Sequence, residues 1–406
     1  MARAFGVLRH GALRWYLLAR TLATLAVQMQ TVAVGWQVYE ATHDPLDLGL
    51  IGLSQFLPFI VLILPAGHVA DRYDRRRVVA ACFALLAAAA ALMLAYTRAG
   101  VAAVWPVFAI MGLFGVARAF WMPAAQALLP NLVPPEDYGR ALPLGSSANQ
   151  VARITGPALG GLLYFAGAEV VYAVVALLLA AAFAFMLGAR ALQAAPAPRV
   201  PLSWANLLSG LAFVRSRPAV LGAISMDLFA VLFGGATALL PAYAGDILHA
   251  GPVGLGFLRT ASGVGAAICG LALALRPIQR QVGRWMFGGV AAFGLATVVF
   301  GVSRSLLLSL AALTVLGAAD MVSVYVRQML VQLATPDEIR GRVSAVNSVF
   351  IGASNEVGEF ESGLTAAWWG VVPAVVVGGA ATMLIAWAWT RLFPPLWRMN
   401  RFPGPE

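Results

Sequence analysis

Acidic side chains within long apolar segments are the residues of this chain best suited to chemistry. Asp227 and Asp320 each interrupt a run that is otherwise almost wholly apolar. A charged side chain costs about 2.5–3.5 kcal/mol at the centre of a membrane helix, so such residues usually face a cavity or a partner. A carboxyl group held away from water can take up and release protons near neutral pH. Both aspartates are therefore predicted proton or substrate sites, with a structural charge pair, for instance Arg20 with Asp227, as the alternative.

Further polar residues in apolar segments extend this candidate site. The run FIGASNEVGEFESG places Glu356 and Glu359 three residues apart, a spacing that puts both on one side of a helix. The remaining candidates are polar residues of the first half, Arg118, Arg153, Gln28 and Gln30. Polar side chains in membrane helices also serve as hydrogen-bonding contacts between helices, and this alternative stays open for the two glutamines.

No motif of an enzyme active site accompanies these residues. The sequence has no P-loop and no HExxH, its four histidines are scattered, and its two cysteines lie in apolar runs. We therefore expect no enzymatic activity, no metal and no cofactor. The net charge is +10, but the basic residues do not form a patch, so no nucleic-acid partner is expected either. Energy for any transport must then come from a gradient or a partner.

The elements that hold these residues are predicted to be membrane helices. Hydrophobic residues make up 61% of the chain and charged residues 11%, whereas soluble domains have about 45–50% and about 25%. Runs of roughly 20 apolar residues can cross a bilayer, and without an alternating-strand pattern only helices satisfy their backbone there. Twelve spans are predicted, at 15–39, 48–70, 78–97, 102–128, 140–166, 168–188, 219–243, 253–275, 284–302, 305–331, 343–369 and 372–393.

The distribution of arginine predicts the orientation of these spans. All 27 basic residues are arginine. If the N-terminus is cytoplasmic, 20 of them lie in cytoplasmic segments, two on the opposite side and five within spans. Cytoplasmic loops of membrane proteins carry the excess of basic residues. Both termini are therefore predicted to be cytoplasmic, in a bacterial inner membrane.

The two halves of the sequence resemble each other. DPLDLGLIG at 44–52 aligns with GPVGLGFLR at 251–259, an offset of 207 residues. PPEDYGRAL at 134–142 is similar to TPDEIRGRV at 335–343, and one inserted residue brings that offset to 202. Matches at corresponding positions predict a duplicated six-helix unit. Chance similarity between apolar segments is the alternative.

The longest loop separates the two predicted units. It begins with the Pro/Ala stretch QAAPAPRVP and continues as SWANLLSGLAFVRSRP, in which Trp204 and Leu208 fall at helical spacing. This pattern predicts a cytoplasmic amphipathic helix on the membrane surface. The predicted organisation is a six-helix half at 1–188, a linker at 189–217 and a second six-helix half at 218–406.

A dense group of charges lies between the second and third spans. Its form G-x-x-x-D-R-x-D-R-R-R resembles the signature loop of the major facilitator superfamily, with matches at Gly67, Asp71, Arg72, Arg75 and Arg76. Asp74 replaces the usual glycine of that loop. The resemblance implies that Asp71 docks at the start of the eleventh helix and favours the outward-open state. Simple positive-inside anchoring by the arginines is the alternative.

The fifth span carries a second motif, ARITGPALGG. It resembles a motif of exporters and proton-coupled antiporters of the same superfamily, with matches at Gly156, Pro157, Gly160 and Gly161. Small residues allow close helix packing, and proline can bend a helix. Ordinary helix packing is the alternative. An arginine that superfamily antiporters often carry early in the fourth helix is absent here, which weakens the transfer of their proton mechanism.

These resemblances together predict both fold and function. They imply an all-α membrane protein with twelve transmembrane helices in two pseudo-symmetric six-helix halves, and helices 1, 4, 7 and 10 lining the transport cavity. The first and eleventh spans resemble the enterobactin-exporter-like branch. We expect a monomeric inner-membrane secondary transporter that exports a small amphipathic compound in exchange for protons by alternating access. Its expected partners are the small-molecule substrate, protons and the lipid bilayer.

Two alternatives to export remain. One is uptake of a small solute by proton symport or uniport. The other, from a different functional class, is a membrane receptor or scaffold that kept the fold without transporting anything. The signature loop and the acids within the spans disfavour the second alternative, since neither feature is needed by a scaffold.

Overall fold

The computed structural model of the chain describes residues 6–100, 102–189 and 204–403. Within these residues the regular structure is helical, with no β-strand. Side chains at a few helical positions lie outside the described residues, and Asp71 is one of them. The predicted docking of Asp71 therefore stays a prediction.

Six long helices make up the spans of the first half. They are α1 (Gly11–Thr42), α2 (Pro45–Arg72), α3 (Arg75–Arg98), α4 (Trp105–Leu128), α5 (Pro135–Tyr164) and α6 (Ala168–Gly188). Six more make up the second half. They are α7 (Pro218–Phe233), α8 (Gly251–Leu275), α9 (Val282–Val302), α10 (Leu306–Leu333), α11 (Asp337–Trp369) and α12 (Val371–Leu392).

Two of these helices are more polar than the rest. Ten helical stretches in the described residues are long and apolar enough to cross a membrane, whereas α5 and α11 are long enough but not apolar enough. Both helices also begin earlier than their predicted spans. Each follows a proline and places acidic residues in its first turn by sequence, where the positive end of the helix dipole favours them.

The seventh span is interrupted. The predicted span 219–243 is helical only as far as Phe233, after which Gly234 and Gly235 follow. The chain then continues through short 3₁₀, α-helical and π-helical turns to Ile247. Glycine is poorly suited to a helix interior, which explains the break at this pair.

The contacts of the chain divide it into two compact units. The first unit is Met1–Thr42 with Ser54–Pro201, and the second is His43–Leu53 with Leu202–Glu406. The first turns of α2 therefore belong with the second unit, where Gly49 lies against the backbone of Phe360. Sequence reasoning did not anticipate this exchange, and the predicted boundaries at 188 and 217 remain a prediction.

The same helix crossing occurs in both units. Gly115 on α4 lies against the backbone carbonyl of Gln55 on α2, and Gly317 on α10 lies against that of Ser262 on α8. Gln55 and Ser262 differ by 207 residues, and the two glycines differ by 202. These are the two offsets of the sequence repeat. The repeated glycine contact therefore gives the internal repeat a structural basis.

A second crossing is repeated in the same way. Gly156 on α5 lies against the carbonyl of Leu25 on α1, and Gly358 on α11 lies against that of Leu232 on α7. The offsets are again 202 and 207 residues. Positions in the two halves can therefore be matched through these contacts as well as through sequence.

A short helix, Trp204–Ser216, lies between the two sets of spans. It packs within the second unit, because Val214 is buried in a cluster with Val220 and Val343. Gly210 lies against the backbone of Arg342 at the start of α11. At least part of its apolar side is thus covered by protein.

Candidate functional site

A buried ion pair joins α7 to α10 in the second unit. Nη2 of Arg327 lies 3.3 Å from Oδ2 of Asp227, and the two side chains are only 3% and 8% exposed. Nη1 of Arg327 also donates a hydrogen bond of 2.8 Å to Oδ1 of Asn347 on α11. The predicted alternative of a structural charge pair therefore applies to Asp227, with Arg327 as its partner. Two buried charges in direct contact stabilise each other where water cannot.

Asp320 stands two helical turns before Arg327 on α10 and lacks such a partner. It lines a small cavity together with Asp227, Phe293 and Ser323, with room for about one water molecule. Within the described ranges of the chain, no group forms a hydrogen bond or an ion pair with Asp320. Its carboxyl group is thus held among protein atoms beside a charge pair that is already complete.

This arrangement separates the roles of the two carboxyl groups. Arg327 neutralises Asp227, so Asp227 can stay ionised within the bundle. Asp320 interacts electrostatically with both Asp227 and Arg327. No described residue donates a hydrogen bond to its carboxyl group. The chemistry that fits Asp320 is therefore gain and loss of a proton, with no change in the ion pair beside it.

The glutamates of α11 belong to another part of the same unit. Glu356 is buried, and Glu359 lies against Gly52 at the start of α2. Arg259 on α8 interacts electrostatically with Glu359. Sequence reasoning did not select Arg259 as a site residue, although its position within an apolar span was a signal of the same kind as that of Arg118.

Three arginines lie within spans of the first unit. They are Arg20 on α1, Arg118 on α4 and Arg153 on α5. The guanidinium of Arg118 lies 5.0 Å from the ring centre of Phe59, a favourable cation–π geometry. Nη1 of Arg20 donates a 3.4 Å hydrogen bond to the hydroxyl of Tyr16.

The two candidate glutamines of α1 differ in their surroundings. Gln28 is partly exposed, and its amide donates a 3.5 Å hydrogen bond to the backbone carbonyl of Arg153. Gln30 is 1% exposed and faces the sulfur of Met111. Gln28 thus lies next to the arginines, whereas Gln30 is enclosed among the helices of its own unit.

The exporter-type motif forms the contact between α5 and α1. A Cβ atom added at Gly156 would clash with the side chain of Gln28, and one at Gly160 would clash with the backbone of Met29. Pro157 and Gly161 are buried in the same helix. The small residues of the motif therefore let α5 pack directly on α1, beside Arg153.

The charged loop between α2 and α3 ties helices of the first unit together. Asp74 caps α3, because its Oδ1 accepts a 2.9 Å hydrogen bond from the backbone N–H of Arg76. Arg75 donates to the carbonyl of Ala127 near the end of α4, and Arg76 donates to that of Leu187 at the end of α6. Arginines near helix C-termini donate hydrogen bonds to the free carbonyls and interact favourably with the helix dipole. Arg72 is exposed.

Asp137, at the start of α5 and before the predicted fifth span, holds a further charge cluster. Its Oδ2 lies 2.8 Å from Nε2 of His10 and 3.2 Å from a guanidinium nitrogen of Arg9, and Arg140 contacts Oδ1 at 3.3 Å. The hydrogen bond with His10, aided by Arg9, lowers the pKa of the Asp137 carboxyl group. This cluster joins the segment before α1 to α5.

Comparisons with known proteins cover nearly the whole chain. The family described as transmembrane secretion effector matches residues 2–401. The uncharacterized MFS-type transporter YfiS of Bacillus subtilis (strain 168) is 26% identical over 385 residues, covering 91% of this chain and 90% of that protein. The enterobactin exporter EntS of Shigella boydii serotype 18 is 26% identical over 347 residues, covering 83% of this chain and 81% of that protein.

Solved structures show the same fold. A crystal structure of a variant of the nucleoside transporter NupG has a TM-score of 0.76 at 15% identity, covering 94% of this chain and 100% of that one. A bacterial homologue of the lysosomal transporter Spinster, inward-facing and occupied, has a TM-score of 0.75 at 14% identity, covering 95% and 97%. The predicted all-α fold, with twelve helices in two six-helix halves, is confirmed.

Proposed function

Because the chain belongs to the major facilitator superfamily of transporters, in its enterobactin-exporter-like branch, we propose that it exports a small amphipathic compound in exchange for protons. The family prediction is thereby confirmed. As a multi-pass protein with bacterial relatives of this kind, it is a transporter of the bacterial inner membrane.

One observation carries the proposal of proton coupling. Asp320 is a carboxyl group within a span, beside a small cavity, with no ion-pair or hydrogen-bond partner in the described residues. An intramembrane acid of this kind is costly and is kept in proteins chiefly for function. Proton binding at Asp320 would remove an unpaired charge from the bundle, whereas proton release would restore it next to Asp227.

The proposed cycle is alternating access. Superfamily transporters expose a site to one side of the membrane at a time, as their two repeats move as largely rigid bodies. In this proposal Asp320 is loaded with a proton on the outer side and releases it to the cytoplasm, while substrate moves outward. The arginine distribution supports cytoplasmic termini, and the transporter is proposed to work as a monomer.

Two features support export over uptake. The similar protein of Shigella boydii is named an exporter, and the exporter-type motif forms a close contact between α5 and α1 here. Neither feature identifies the compound.

The proposal is tested by proton movement in inside-out membrane vesicles. Respiration acidifies the vesicle interior, and a fluorescent pH indicator reports proton release when amphipathic compounds of varied charge are added. Asp320→Asn is expected to reduce compound-induced proton release at least about tenfold, because an amide cannot carry the proton. Asp320→Glu, which keeps a carboxyl group, is expected to retain part of it.

A matched control separates coupling from damage to the fold. Asp44→Asn changes an exposed acid whose side chain accepts a hydrogen bond from Leu46 N–H, and asparagine can make the same bond. This variant is expected to behave as wild type. Proton release by Asp320→Asn equal to that of Asp44→Asn, at matched protein levels, would show that Asp320 is not the coupling site.

A further inference from the structure

Beyond α12 the chain folds back over the adjacent end of the second unit. Phe393, at φ −127° and ψ 63°, already lies outside the helical conformation. Pro394 and Pro395 then lead into a single helical turn, Pro394–Trp397, and into irregular backbone. Proline cannot continue the hydrogen bonding of a long helix, which explains the change of direction at this pair. We call residues Pro394–Phe402 the strap.

The strap is bound to the start of α9 through its backbone. The N–H of Gly283 donates a 3.0 Å hydrogen bond to the carbonyl of Met399, and the N–H of Val282 donates one of 3.5 Å to that of Asn400. Oδ1 of Asn400 also accepts a 3.0 Å hydrogen bond from the N–H of Gln281. The first N–H groups of a helix have no partner within it. The strap therefore supplies the acceptors that α9 lacks.

Gly283 allows the strap to approach α9 this closely. A Cβ atom added there would clash with the carbonyl oxygens of Leu396 and Trp397. Gly283 matches Arg76 of α3 at the offset of 207 residues. The side chain of Arg76 binds the carbonyl of Leu187 at the end of α6. The second unit thus makes by backbone packing the junction that the first unit makes with a charged side chain.

Two aromatic contacts attach the strap to the helices that carry the cavity. The rings of Trp397 and Phe287 on α9 meet edge to face at 5.3 Å between centres. Those of Phe402 and Tyr325 on α10 do so at 6.4 Å. Tyr325 is five residues beyond Asp320 on α10. The strap therefore holds together the ends of α9 and α10, which both line the cavity.

The inner side of the strap covers an apolar cluster that extends to this cavity. Leu396 is fully buried in the cluster, and Phe402 packs against it. Ala230 and Val290 belong to the same cluster and also line the cavity. Apolar side chains thus connect the cavity to the strap. Apolar constrictions of this kind hold back water and ions.

The cavity lies nearer to the strap than to the far end of α9. Val290 is seven residues from Gly283, or about 10 Å along the axis, and twelve residues from Val302, or about 18 Å. The outer side of the strap is polar, with Arg398 and Arg401 exposed. Both cysteines lie elsewhere, so hydrogen bonds and apolar contacts hold the strap without a covalent link. A segment held in this way can open locally while the rest of the unit stays folded.

We propose that the strap is a gate that closes the path between the cavity at Asp320 and the predicted cytoplasmic face when it is seated, and opens that path when it is released. This inference rests on the proposed transport function and adds control of access to the same proton site. With the strap seated, the apolar cluster keeps water from the cavity. Release exposes the cluster and frees the start of α9, so that water reaches Asp320 from that side.

Two alanine variants of α9 provide the test and its matched control. A methyl group in Gly283→Ala would meet the carbonyls of the strap and displace it. Gly288→Ala adds the same group to the same helix, where no atom lies within 4 Å of the added Cβ. Release is measured by trypsin cleavage after Arg398 and Arg401, which is expected to be about tenfold faster in Gly283→Ala than in Gly288→Ala, because cleavage needs locally opened backbone.

Access to the cavity is measured with Val290→Cys. Inside-out vesicles turn the predicted cytoplasmic face outward, and a charged, membrane-impermeant thiol reagent is added. Cys269→Ala removes one native thiol, and the buried Cys82 of the first unit remains as a reporter of unfolding. Labelling of Val290→Cys is expected to be about tenfold or more faster with Gly283→Ala than with Gly288→Ala, while Cys82 stays unlabelled.

A deletion from Pro394 onward removes the strap without changing α9 and is expected to give the same faster labelling. Faster trypsin cleavage with unchanged labelling of Val290→Cys would overturn the proposal. So would unchanged labelling in the deletion, or labelling that rises in both variants only together with that of Cys82. In the last case the changes unfold the protein and open no gate.

The labelling experiment separates this inference from proton coupling. It uses neither a proton gradient nor a transported compound. Unchanged labelling of Val290→Cys therefore rejects only the gate, whereas normal compound-induced proton release in Asp320→Asn rejects only the proposed proton coupling.

Discussion

Gly156 in the first half and Gly358 in the second occupy the same place in the repeat, yet the charges carried by their units differ in sign. The first unit places three arginines within its spans, and in the part of the chain that the structure describes neither Arg20 nor Arg153 has a carboxylate partner. The second unit places Asp227 and Asp320 at the matching positions of α7 and α10. One helical frame thus supports two different electrostatic sites.

The two units differ in the pairing of these charges as well as in their sign. Arg327 gives Asp227 a counter-charge within the second unit, whereas Asp320 has no ion-pair or hydrogen-bond partner among the described residues. The position that matches Arg327 at the offset of 202 is Ala125 in the first unit, which carries no charge. In the second unit, an unpaired carboxyl group beside a complete ion pair suits proton exchange.

The largest expected effect is a difference in stability between two arginine variants, one in each unit. Arg327→Gln leaves Asp227 buried without its counter-charge, which is expected to lower the free energy of unfolding by about 3 kcal/mol. Arg153→Gln is expected to change it little or to stabilise the fold slightly, because no described residue is an acidic partner that the change would leave behind. Chemical unfolding of the detergent-solubilised protein, followed by tryptophan fluorescence, measures both.

A double variant sharpens this contrast. Asp227→Asn combined with Arg327→Gln removes both charges and is expected to be more stable than Arg327→Gln alone. Equal destabilisation by Arg327→Gln and Arg153→Gln would break the comparison, because it would mean that both arginines are paired in the same way.

A second, smaller loss of stability tests whether the two halves share the same helix crossing. Gly115→Ala and Gly317→Ala each place a methyl group against a backbone carbonyl of the crossing helix, Gln55 or Ser262. Each is expected to cost about 1–3 kcal/mol, as overpacking in a tight core does. Gly112→Ala is the control, because its methyl group would meet the Ser54 carbonyl at an ordinary distance of 3.6 Å.

Thermal unfolding of these glycine variants checks the prediction. Similar losses at Gly115 and Gly317 would support the shared crossing, and no loss at Gly112 would show that α4 tolerates a methyl group where no carbonyl crowds it. If only one of the two crossing glycines proved sensitive, the two units would not share this helix contact.

The smallest effects concern the starts of α3 and α9. Asp74→Ala removes a helix cap and is expected to cost about 1 kcal/mol. Gln281, at the matching position 207 residues later, begins α9 at φ 56° with no side-chain cap. That conformation favours glycine, so Gln281→Gly is expected to stabilise the protein by up to about 1 kcal/mol. Thermal unfolding is expected to show a lower melting temperature for Asp74→Ala and a higher one for Gln281→Gly. A lower melting temperature for Gln281→Gly would contradict the prediction.

The sequence was sufficient to predict the helices and their number. Long apolar runs must form helices in lipid, because each backbone group has to find its partner within the same segment. The same local logic identified the offsets of 207 and 202 residues and the two superfamily motifs. Helix ends were less predictable, since the polar first turns of α5 and α11 lie outside the apolar runs.

Tertiary structure alone decided which charges are paired. Asp227 and Arg327 are 100 positions apart in the chain, and nothing local to either residue indicates their contact. Asp320 looked equivalent to Asp227 in the sequence but lacks a partner in the described residues. The role of Asp74 as a helix cap also emerged only from the structure. The physical reason is that a membrane helix forms from its own composition, whereas an ion pair depends on how separate helices pack.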